Sequence, residues 1–449
     1  MFRMGFFFSL SIATAVAAPV LPVFNIQNAP LEVEAEAGTA SIPVSQFFAA
    51  EEIDEEIVRF VATYDDGTGI VTQNLDMALF SQRTPGTHTN FLNYVADGDY
   101  VDSFIHRSEP NFVIQGGGFK FVPDPTDPTV TNVAAVPTDP PIANEPGISN
   151  TTGTISMAKL GGDPDSATSQ WFVSTNANSA NLDFQNGGFT VFARLTKETL
   201  ANALLFNDAQ VFPPLDFSAS LGGPFGATPI HQSATNPVSV SKFIRFESVS
   251  LVPLPAGQAG EDTALAHAIS SQPSSSLATA SIDGENLQIT PQAPGTGQLA
   301  ITATDSVGNE VIGEISFEIG TSYGFWRNAN FDSSDALDDA ISGPDADPDG
   351  NGVTNLQAFA QGLGLAETAP VGTAAGGGNF RLTFLEQTDR LGVQIRFERS
   401  NTLDGDWVAV TPTPVTRDPT GKPNQERVTV TLPKDGNKGF YRVVFELVP

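Results

Sequence analysis

Residues 104–118 read FIHRSEPNFVIQGGG, the most informative stretch of the chain. Arg107 stands there between His106 and an apolar run that closes on three glycines. Neighbouring side chains in a strand point to opposite faces, so Arg107 and His106 are not expected to serve the same site. We interpret Arg107 as a functional cation and His106 as a structural residue. The alternative is that Arg107 is an ordinary surface charge beside a β-turn.

The segments around this stretch predict a small β domain with two helices. Two alternating runs, joined at Asp66-Gly67, predict a hairpin over IVRFVATYDDGTGIVTQNLDMALF. Helical spacing of apolar residues predicts helices in TPGTHTNFLNYVADGDY and KETLANALLF. Three short runs, TGTISMAKL, SQWFVSTN and GGFTVFARL, predict further strands. The many prolines between Phe119 and Gly147 predict a long surface loop.

Composition excludes several classes of function. The chain has 449 residues, enough for two to four domains, with 21 Lys+Arg against 51 Asp+Glu and a net charge of −30. Such a surface repels nucleic acid, so no nucleic-acid partner is expected. The chain has no cysteine, and its four histidines lack metal-ligand spacing. A thiol nucleophile and a histidine-ligated zinc site are therefore not expected.

The amino-terminal sequence MFRMGFFFSLSIATAVAAPV is typical of a secretory signal peptide. An arginine precedes a short apolar run, and Ala15-Val16-Ala17 fits the small-residue pattern of a cleavage site. We therefore expect an exported protein, periplasmic or extracellular, with no membrane span after removal of residues 1–17. A retained membrane anchor is the alternative.

Three blocks of the sequence resemble the signature blocks of cyclophilins, the peptidyl-prolyl cis-trans isomerases. They are FIHRSEPNFVIQGGG, NEPGISNTTGTISMAKLGGDPDSATSQWFVSTN and LDFQNGGFTVFARL, in the order and spacing of the family over residues 57–255. The proline-rich loop before NEPG and the double glycine of KLGGDP are similar to exported bacterial members. The resemblance implies a mainly β fold, an eight-stranded closed β-barrel with two capping helices, followed here by small β-sandwich modules.

The chemistry of prolyl isomerisation explains why an arginine suits this position. Rotation about an Xaa-Pro bond has a barrier of about 18–20 kcal/mol because the amide nitrogen shares its lone pair with the carbonyl. A catalyst needs an apolar cup for the proline ring and a donor that stabilises the twisted amide more than the planar one. A guanidinium stays charged and offers a planar fork of donors. We assign this role to Arg107 and expect no cofactor for catalysis.

The resemblance also implies which residues surround the substrate. Asn181 departs from the family, since vertebrate members have tryptophan just before LD, and Phe189 stands at the position of the family's pocket histidine. Phe112 and Phe172 could instead be plain core residues, and Gln115 could simply end a strand. The implied catalytic residues are Arg107, Phe112 and Gln115, and the implied substrate-binding residues are Val113, Ala158, Lys159, Gln170, Phe172, Leu182 and Phe189.

Composition shifts predict further modules after the main domain. Alternating runs such as GQLAITATDS and VIGEISFEIG favour an Ig-like or cadherin-like β domain, and five more runs follow the linker GTAAGGG. The predicted order is a signal peptide (1–17), lead-in strands (18–56), the cyclophilin-like domain (57–255), the Ig-like or cadherin-like domain (256–320), an acidic EF-hand-like loop with the Gly-rich linker (321–376) and a C-terminal β-sandwich (377–449).

The acidic stretch DADPDGNGVTN resembles the calcium loops of dockerin and thrombospondin type 3 modules. Gly352 occupies the turn position, but Ala358 stands where an EF-hand has its bidentate glutamate. Asp345 is a candidate replacement for that ligand. An acidic linker turn that binds no ion is the alternative. The predicted calcium ligands are Asp347, Asp349, Asn351, the Val353 carbonyl and Asn355.

Two functions from different classes follow from these observations. The first is an exported isomerase that acts on Xaa-Pro bonds of unfolded or exported polypeptides and assists their folding. The second is a proline-peptide-binding or surface-adhesion protein with weak or no isomerase activity. Arg107, Phe112, Gln115, Gln170 and Phe172 together favour the first, because holding a peptide does not require the arginine. Asn181 favours the second.

Overall fold

The computed structural model describes residues 18–35, 38–126, 131–235, 238–364, 367, 380–402, 406–413, 415–432 and 440–448. The predicted signal peptide and the GTAAGGG linker lie outside these residues. The chain divides into two compact units. The first comprises Met1–Asn28, Pro43–Ser270 and Ala300–Glu314, and the second Ala29–Ile42, Ser271–Leu299 and Ile315–Pro449.

Strands dominate the described residues. In chain order they are β1 (Val20–Phe24), β2 (Leu31–Glu34), β3 (Ala40–Pro43), β4 (Phe48–Glu52), β5 (Glu56–Asp65), β6 (Ile70–Leu79), β7 (Arg107–Glu109), β8 (Val113–Gly116), β9 (Phe119–Pro123), β10 (Thr131–Ala135), β11 (Thr154–Met157), β12 (Trp171–Ser174), β13 (Val191–Leu195), β14 (Pro214–Leu215), β15 (Thr228–Pro229), β16 (Arg245–Pro253), β17 (Ala266–Ser271), β18 (Ala278–Asp283), β19 (Asn286–Pro291), β20 (Gly295–Thr304), β21 (Glu310–Gly320), β22 (Phe380–Gln387), β23 (Val393–Ser400), β24 (Val408–Ala409), β25 (Val415–Pro419), β26 (Gln425–Leu432) and β27 (Phe440–Leu447).

Helices are short by comparison. The α-helices are α1 (Pro85–Ala96), α2 (Ser179–Leu182), α3 (Lys197–Phe206), α4 (Ser218–Leu221), α5 (Tyr323–Asn330), α6 (Asp339–Ser342) and α7 (Asn355–Gln361). Single 3-10 turns lie at Val44–Gln46, Gln185–Gly187, Gly223–Phe225, Val240–Lys242 and Asp335–Leu337. None of the helices in the described part of the chain has the length and apolar composition needed to cross a bilayer.

An antiparallel sheet of eight strands forms the frame of the first unit. Its order is β16-β5-β6-β13-β11-β12-β8-β7. The predicted hairpin is confirmed as β5–β6, in which Asp65 pairs with Ile70 and Gly67 has a φ of 95° that favours glycine. Next to edge strand β7, Phe104 makes an isolated bridge with Arg245 of the other edge strand, β16.

Aromatic side chains fill the main core of this unit. The Phe60 ring lies 5.2 Å from Trp171 and 4.9 Å from Phe246, both edge-on. Helix α1 contributes Phe91 and helix α3 contributes Phe206 to the same apolar cluster. Both predicted helices are therefore confirmed, and burial of one apolar face explains their position against the sheet.

The proline-rich segment differs from its prediction as one long surface loop. Strands β9 and β10 pair antiparallel within it, from Phe119↔Ala135 to Pro123↔Thr131. Pro123 lies at the end of β9 and Pro137 follows β10, so the ladder interior contains no proline. A two-stranded hairpin was thus compatible with a proline content that excludes a central strand.

The lead-in residues form the four strands β1 to β4. Strands β1 and β4 pair within the first unit, where Leu21 and Val23 pack with Ile57, Phe80 and Val191. The side chain of Arg194, buried in β13, donates hydrogen bonds to the carbonyl oxygens of Pro22, at 2.8 Å, and of Glu310. Strand β2 belongs to the second unit, where it pairs parallel with β21. The predicted 18–56 segment therefore supplies strands to both units.

The described residues of the second unit form small sheets and three α-helices. Strands β18, β19 and β3 form one sheet, and the C-terminal strands form two, β22-β26-β25 and β24-β23-β27. Phe384 of the first C-terminal sheet and Phe397 of the second belong to one apolar cluster, with ring centres 5.8 Å apart. The cadherin-like and sandwich assignments of these strands stay predictions.

Candidate active site

A surface cavity of about 320 Å³ opens beside β8 and β12 in the first unit. The cavity contains nine of the ten residues implied for catalysis and substrate binding, all except Gln170, together with Asn181 and Gln185. Its lining residues are Arg107, Phe112, Val113, Gln115, Ala158, Lys159, Phe172, Asn181, Leu182, Gln185 and Phe189.

Strand alternation explains how these side chains reach the cavity. In β8, Val113 and Gln115 line the cavity, whereas Ile114 between them belongs to the main core. In β12, Phe172 lines the cavity, whereas Trp171 belongs to the core. Both strands are thus buried on two faces, and only one face contributes to the site.

The apolar part of the cavity is a cluster separate from the main core. Val113, Phe172 and Leu182 are its buried members, and the partly buried Phe112, Ala158 and Phe189 pack against them. The Phe172 and Phe189 rings meet edge to face, with centres 5.5 Å apart. Phe172 is therefore a wall of the cavity and not a residue of the main core. The cluster forms a cup of apolar side chains open to solvent.

Arg107 lies at the polar edge of this cup. Its Nη1 donates to Gln115 Oε1 at 3.3 Å, and its Nη2 donates to Glu109 Oε1 at 3.3 Å. The Arg107 side chain is 36% exposed, so the ion pair with Glu109 is well solvated and contributes about 0–1 kcal/mol. Both contacts orient the guanidinium without covering it.

Gln115 is braced in turn by Gln170. Gln115 Nε2 donates to Gln170 Oε1 at 2.9 Å, so the side chains form a chain from Gln170 through Gln115 to Arg107. Gln170 does not line the cavity, and its contact with the site is through Gln115. This arrangement gives Gln115 a structural reason beyond ending a strand.

The three glycines of the opening stretch allow close packing behind Gln115. A Cβ on Gly116 would lie 2.9 Å from the Trp171 indole, and one on Gly118 would lie 2.7 Å from Gln170 Cδ. Gly117 has a φ of 75°, which disfavours side chains. The glycines therefore serve the core and the Gln170 brace.

His106 lies on the other face, away from the cavity. Its ring is buried against Phe119 and Phe225, with centres 5.0 and 6.3 Å apart. Burial, together with the charge of Arg107, lowers the pKa of His106 to about 4. The imidazole is thus neutral at physiological pH and packs against two aromatic rings, consistent with the structural role expected from the sequence.

The far wall of the cavity rests on an unusual loop. Asn186, Gly187 and Gly188 all have positive φ, at 54°, 76° and 76°. Lys159 Nζ donates to the carbonyl oxygens of Asn186, at 3.0 Å, and Gly188, at 2.5 Å. The same ammonium lies 4.7 Å from the centre of the Phe189 ring. Lys159 therefore stabilises the loop that contains Phe189.

Comparison with known proteins adds an independent observation. The family model for cyclophilin type peptidyl-prolyl cis-trans isomerase/CLD matches residues 67–204. Over 122 residues the chain is 36% identical to peptidyl-prolyl cis-trans isomerase B of Escherichia coli, covering 26% of this chain and 68% of that protein. The chain belongs to the cyclophilin-type peptidyl-prolyl cis-trans isomerase family.

A second bacterial relative is matched over a smaller part of its length. The chain is 37% identical to a peptidyl-prolyl cis-trans isomerase of Acinetobacter baylyi over 127 residues, which span 28% of this chain and 62% of that protein. A cyclophilin type isomerase of Cryptosporidium parvum, crystallised in the presence of the dipeptide Ala-Pro, is 20% identical, covers 44% of this chain and 99% of its own, and gives a TM-score of 0.28.

Two features of the cyclophilin site were missed from the sequence. Glu109 pairs with Arg107, and the signal for it was present, since residues two apart in a strand share a face. Gln185 lines the cavity from the loop before Phe189, and no sequence pattern indicated it.

The acidic loop of the second unit fits a calcium site only in part. Asp347 accepts the backbone N–H groups of Asn351, at 3.1 Å, and Gly352, at 2.9 Å, and Gly352 has the positive φ expected of the turn. Asn355 is buried, and its Nδ2 donates to the carbonyl oxygens of Ile341 and Gly343. Within the described ranges, no group of three or more His, Asp or Glu side chains is placed to hold a metal ion.

Proposed function

We propose that this cyclophilin domain is a peptidyl-prolyl cis-trans isomerase that acts on Xaa-Pro bonds of polypeptides. The observation that carries the proposal is the position of Arg107 at the open edge of an apolar cup formed by Phe112, Val113, Phe172, Leu182 and Phe189. Family membership supports it. The cup suits a proline ring, and the guanidinium suits the amide beside that ring.

The residues act by stabilising the twisted amide more than either planar isomer. As the Xaa-Pro bond rotates, conjugation is lost and the lone pair returns to the proline nitrogen, where it can accept a hydrogen bond. A guanidinium donor aimed at that position strengthens its interaction as the bond twists, which is differential stabilisation of the transition state. Gln115 and Glu109 hold the donor before substrate arrives, so little reorganisation is needed.

Proline-peptide holding without turnover is the second candidate function. Asn181 lines the cavity where vertebrate cyclophilins have a tryptophan, and an amide offers the substrate less apolar contact. This substitution weakens one wall of the cup but leaves the Arg107, Gln115 and Gln170 chain in place. Holding a peptide gives no reason for that chain, so we favour the isomerase.

The experiment that separates the two is an isomerase assay on the full chain. Cis-to-trans conversion of a short Ala-Pro peptide is followed with and without the protein, and peptide affinity is measured in parallel. Acceleration proportional to protein concentration is the expected result. Peptide binding with no acceleration, in a sample shown to be folded by circular dichroism, supports the holding function and overturns the isomerase.

We further propose that the domain works on exported proteins, in the periplasm or outside the cell, with the second unit as a spacer or surface-attachment part. The signal-like residues 1–17 and the acidic composition support this setting.

We also propose that the eight-stranded sheet closes into a barrel, because Ile105 N donates to Ile244 O at 3.1 Å between its two edges.

We also propose a weak calcium site in the acidic loop of the second unit. The candidate ligands are Asp347, Asp349, Asn351, the Val353 carbonyl and Asn355. Asn355 would bind through Oδ1, because its Nδ2 donates to the carbonyl oxygens of Ile341 and Gly343. A site of so few charged ligands suits only the millimolar calcium of extracellular modules. No step of the isomerase reaction involves this ion.

A further inference from the structure

We propose that Asn207 is a positioning residue that holds the segment from Arg107 to Val113 in the shape needed for isomerisation. The inference rests on the proposed isomerase function and extends it to a side chain outside the cavity. Asn207 follows helix α3 directly, at the helix C-cap, and its side chain is buried.

The side-chain nitrogen of Asn207 reaches three points on the segment. Nδ2 lies 2.9 Å from Ser108 Oγ, 2.9 Å from the Glu109 carbonyl oxygen and 3.2 Å from the Val113 carbonyl oxygen. These acceptors lie on both sides of the turn between β7 and β8. One amide group therefore ties the two arms of the turn together.

The side-chain oxygen completes the network. Oδ1 accepts the backbone N–H of Asn111 at 2.8 Å and the Thr175 hydroxyl at 2.8 Å. Asn111 has a φ of 59°, a left-handed conformation that asparagine adopts more readily than most residues and that this hydrogen bond stabilises. Thr175 N also donates to the Phe112 carbonyl oxygen at 2.9 Å, so the residue that follows β12 supports the same turn.

The held segment contains two groups of the site. Arg107 directly precedes Ser108, and Phe112 directly precedes Val113, so both flank atoms that Asn207 contacts. The β7–β8 ladder supplies only three residue pairs, and β7 is an edge strand of the sheet. The ladder alone is a weak support for a turn that must place a donor and a pocket wall together.

Asn207 acts from behind the site and does not touch the substrate cavity. It lines a separate hollow of about 380 Å³ with Pro110, Asn111, Thr175 and Leu204. Space behind the turn means that a loosened turn can move away from the cavity. Asn207 closes that route by bonding to both arms.

The test compares Asn207→Asp with Asn202→Asp in the full chain. Asn207→Asp keeps the shape of the side chain but replaces both N–H donors by an oxygen facing carbonyl oxygens. Asn202 lies in helix α3, which Asn207 caps, and donates one bond to the Asn74 carbonyl oxygen at 2.9 Å, so Asn202→Asp is the matched control. Both variants are expected to lower the melting temperature.

Only Asn207→Asp is expected to lower kcat, by about tenfold or more, with KM changed by less than about threefold. The Arg107 side-chain Nε–H resonance should shift or broaden in Asn207→Asp and stay unchanged in Asn202→Asp. Thr175→Val removes one contact and serves as the milder variant if Asn207→Asp does not fold, with an expected loss in kcat of about threefold.

Equal kcat values for the two asparagine variants, or an unchanged Arg107 resonance in Asn207→Asp, overturn the positioning role. The resonance separates this inference from the proposed function. A wild-type protein without isomerase activity refutes the isomerase, while the resonance still shows whether Asn207 positions Arg107.

Discussion

At the scale of single residues, the site depends on a chain of three polar side chains beside an apolar cup. Gln170 braces Gln115, and Gln115 orients Arg107, which lies at the open edge. The order of this chain makes Gln115 the link through which Gln170 acts. Removing Gln170 should therefore matter only while Gln115 is present.

We expect Gln115→Ala to lower kcat/KM by about tenfold and Gln170→Ala by less. The double variant should resemble Gln115→Ala, because the loss of Gln115 already disconnects Gln170. Isomerase assays on the three variants form a double-mutant cycle. Additive losses would show that Gln170 contributes by a route independent of Gln115.

The pH dependence of stability provides a test of His106. Its pKa is lowered in the folded protein from 6.5 to about 4, whereas the unfolded chain keeps the ordinary value. As pH falls from 6.5 towards 4, the unfolded state takes up a proton that the folded state does not, so folding loses about 3 kcal/mol at this residue. The full contribution is present above pH 6.5.

The measurement is urea unfolding of the wild type and His106→Gln at pH 7.5 and 4.5. The wild type is expected to lose more stability than the variant between these values, since carboxyl groups titrate alike in both. Parallel losses in the two proteins would contradict burial of a neutral imidazole.

At the scale of elements, the site is supported by the turn between β8 and β9 and by the loop before Phe189. In the turn, Gly118 leaves room for Gln170, because a Cβ there would lie 2.7 Å from Gln170 Cδ. We expect Gly118→Ala to displace Gln170 and lower kcat/KM several-fold, with a small change in melting temperature. Gly161→Ala is the matched control, since no atom lies within 4 Å of its Cβ position. Equal activity of the two variants would argue against the brace.

The contribution of the loop before Phe189 can be tested at Lys159. Lys159→Met removes the ammonium that holds the carbonyl oxygens of Asn186 and Gly188, so the Phe189 wall should loosen. Burial lowers the pKa of Lys159, although the Asp165 carboxylate opposes the shift. We expect KM to rise about fivefold with kcat changed little. Lys120→Met, which removes a single bond to the Asp99 carbonyl oxygen, should leave KM unchanged.

At the scale of the whole molecule, local sequence patterns predicted some elements of the fold and missed those that depend on distant residues. In the first unit, the hairpin at Asp66-Gly67 and helices α1 and α3 were predicted, because alternation and helical spacing are local signals. The β9–β10 hairpin was not, since proline content shows where a ladder cannot run and not where it can. The pairing of the lead-in strands could not be predicted, because it depends on distant residues.

The candidate site was predicted to the extent that strand position determines it. The cavity does contain Arg107, Phe112 and Phe172, whose roles came from the family resemblance. Asn207 could not be predicted, because it follows a helix and meets the turn only through the tertiary fold. Substrate binding by the implied residues stays a prediction.

The second unit offers a test of its acidic loop. A calcium site formed by Asp347, Asp349 and Asn351 would raise the melting temperature in millimolar calcium, and a chelator would reverse the rise. Asp347→Asn should abolish the response, whereas Asp262→Asn, on an exposed turn outside the loop, should keep it. A melting temperature that changes with neither calcium nor chelator would show that the loop does not bind calcium.

The decisive measurement for the role of Arg107 is the rate of Ala-Pro isomerisation by Arg107→Ala, determined together with the affinity of the variant for the same peptide. We predict that kcat/KM falls at least about 100-fold, or about 2.7 kcal/mol in the barrier, while the dissociation constant changes less than about threefold. Arg107→Lys should recover only part of the loss, because an ammonium lacks the planar fork. An Arg107→Ala protein that keeps the wild-type rate would show that Arg107 does not stabilise the twisted amide.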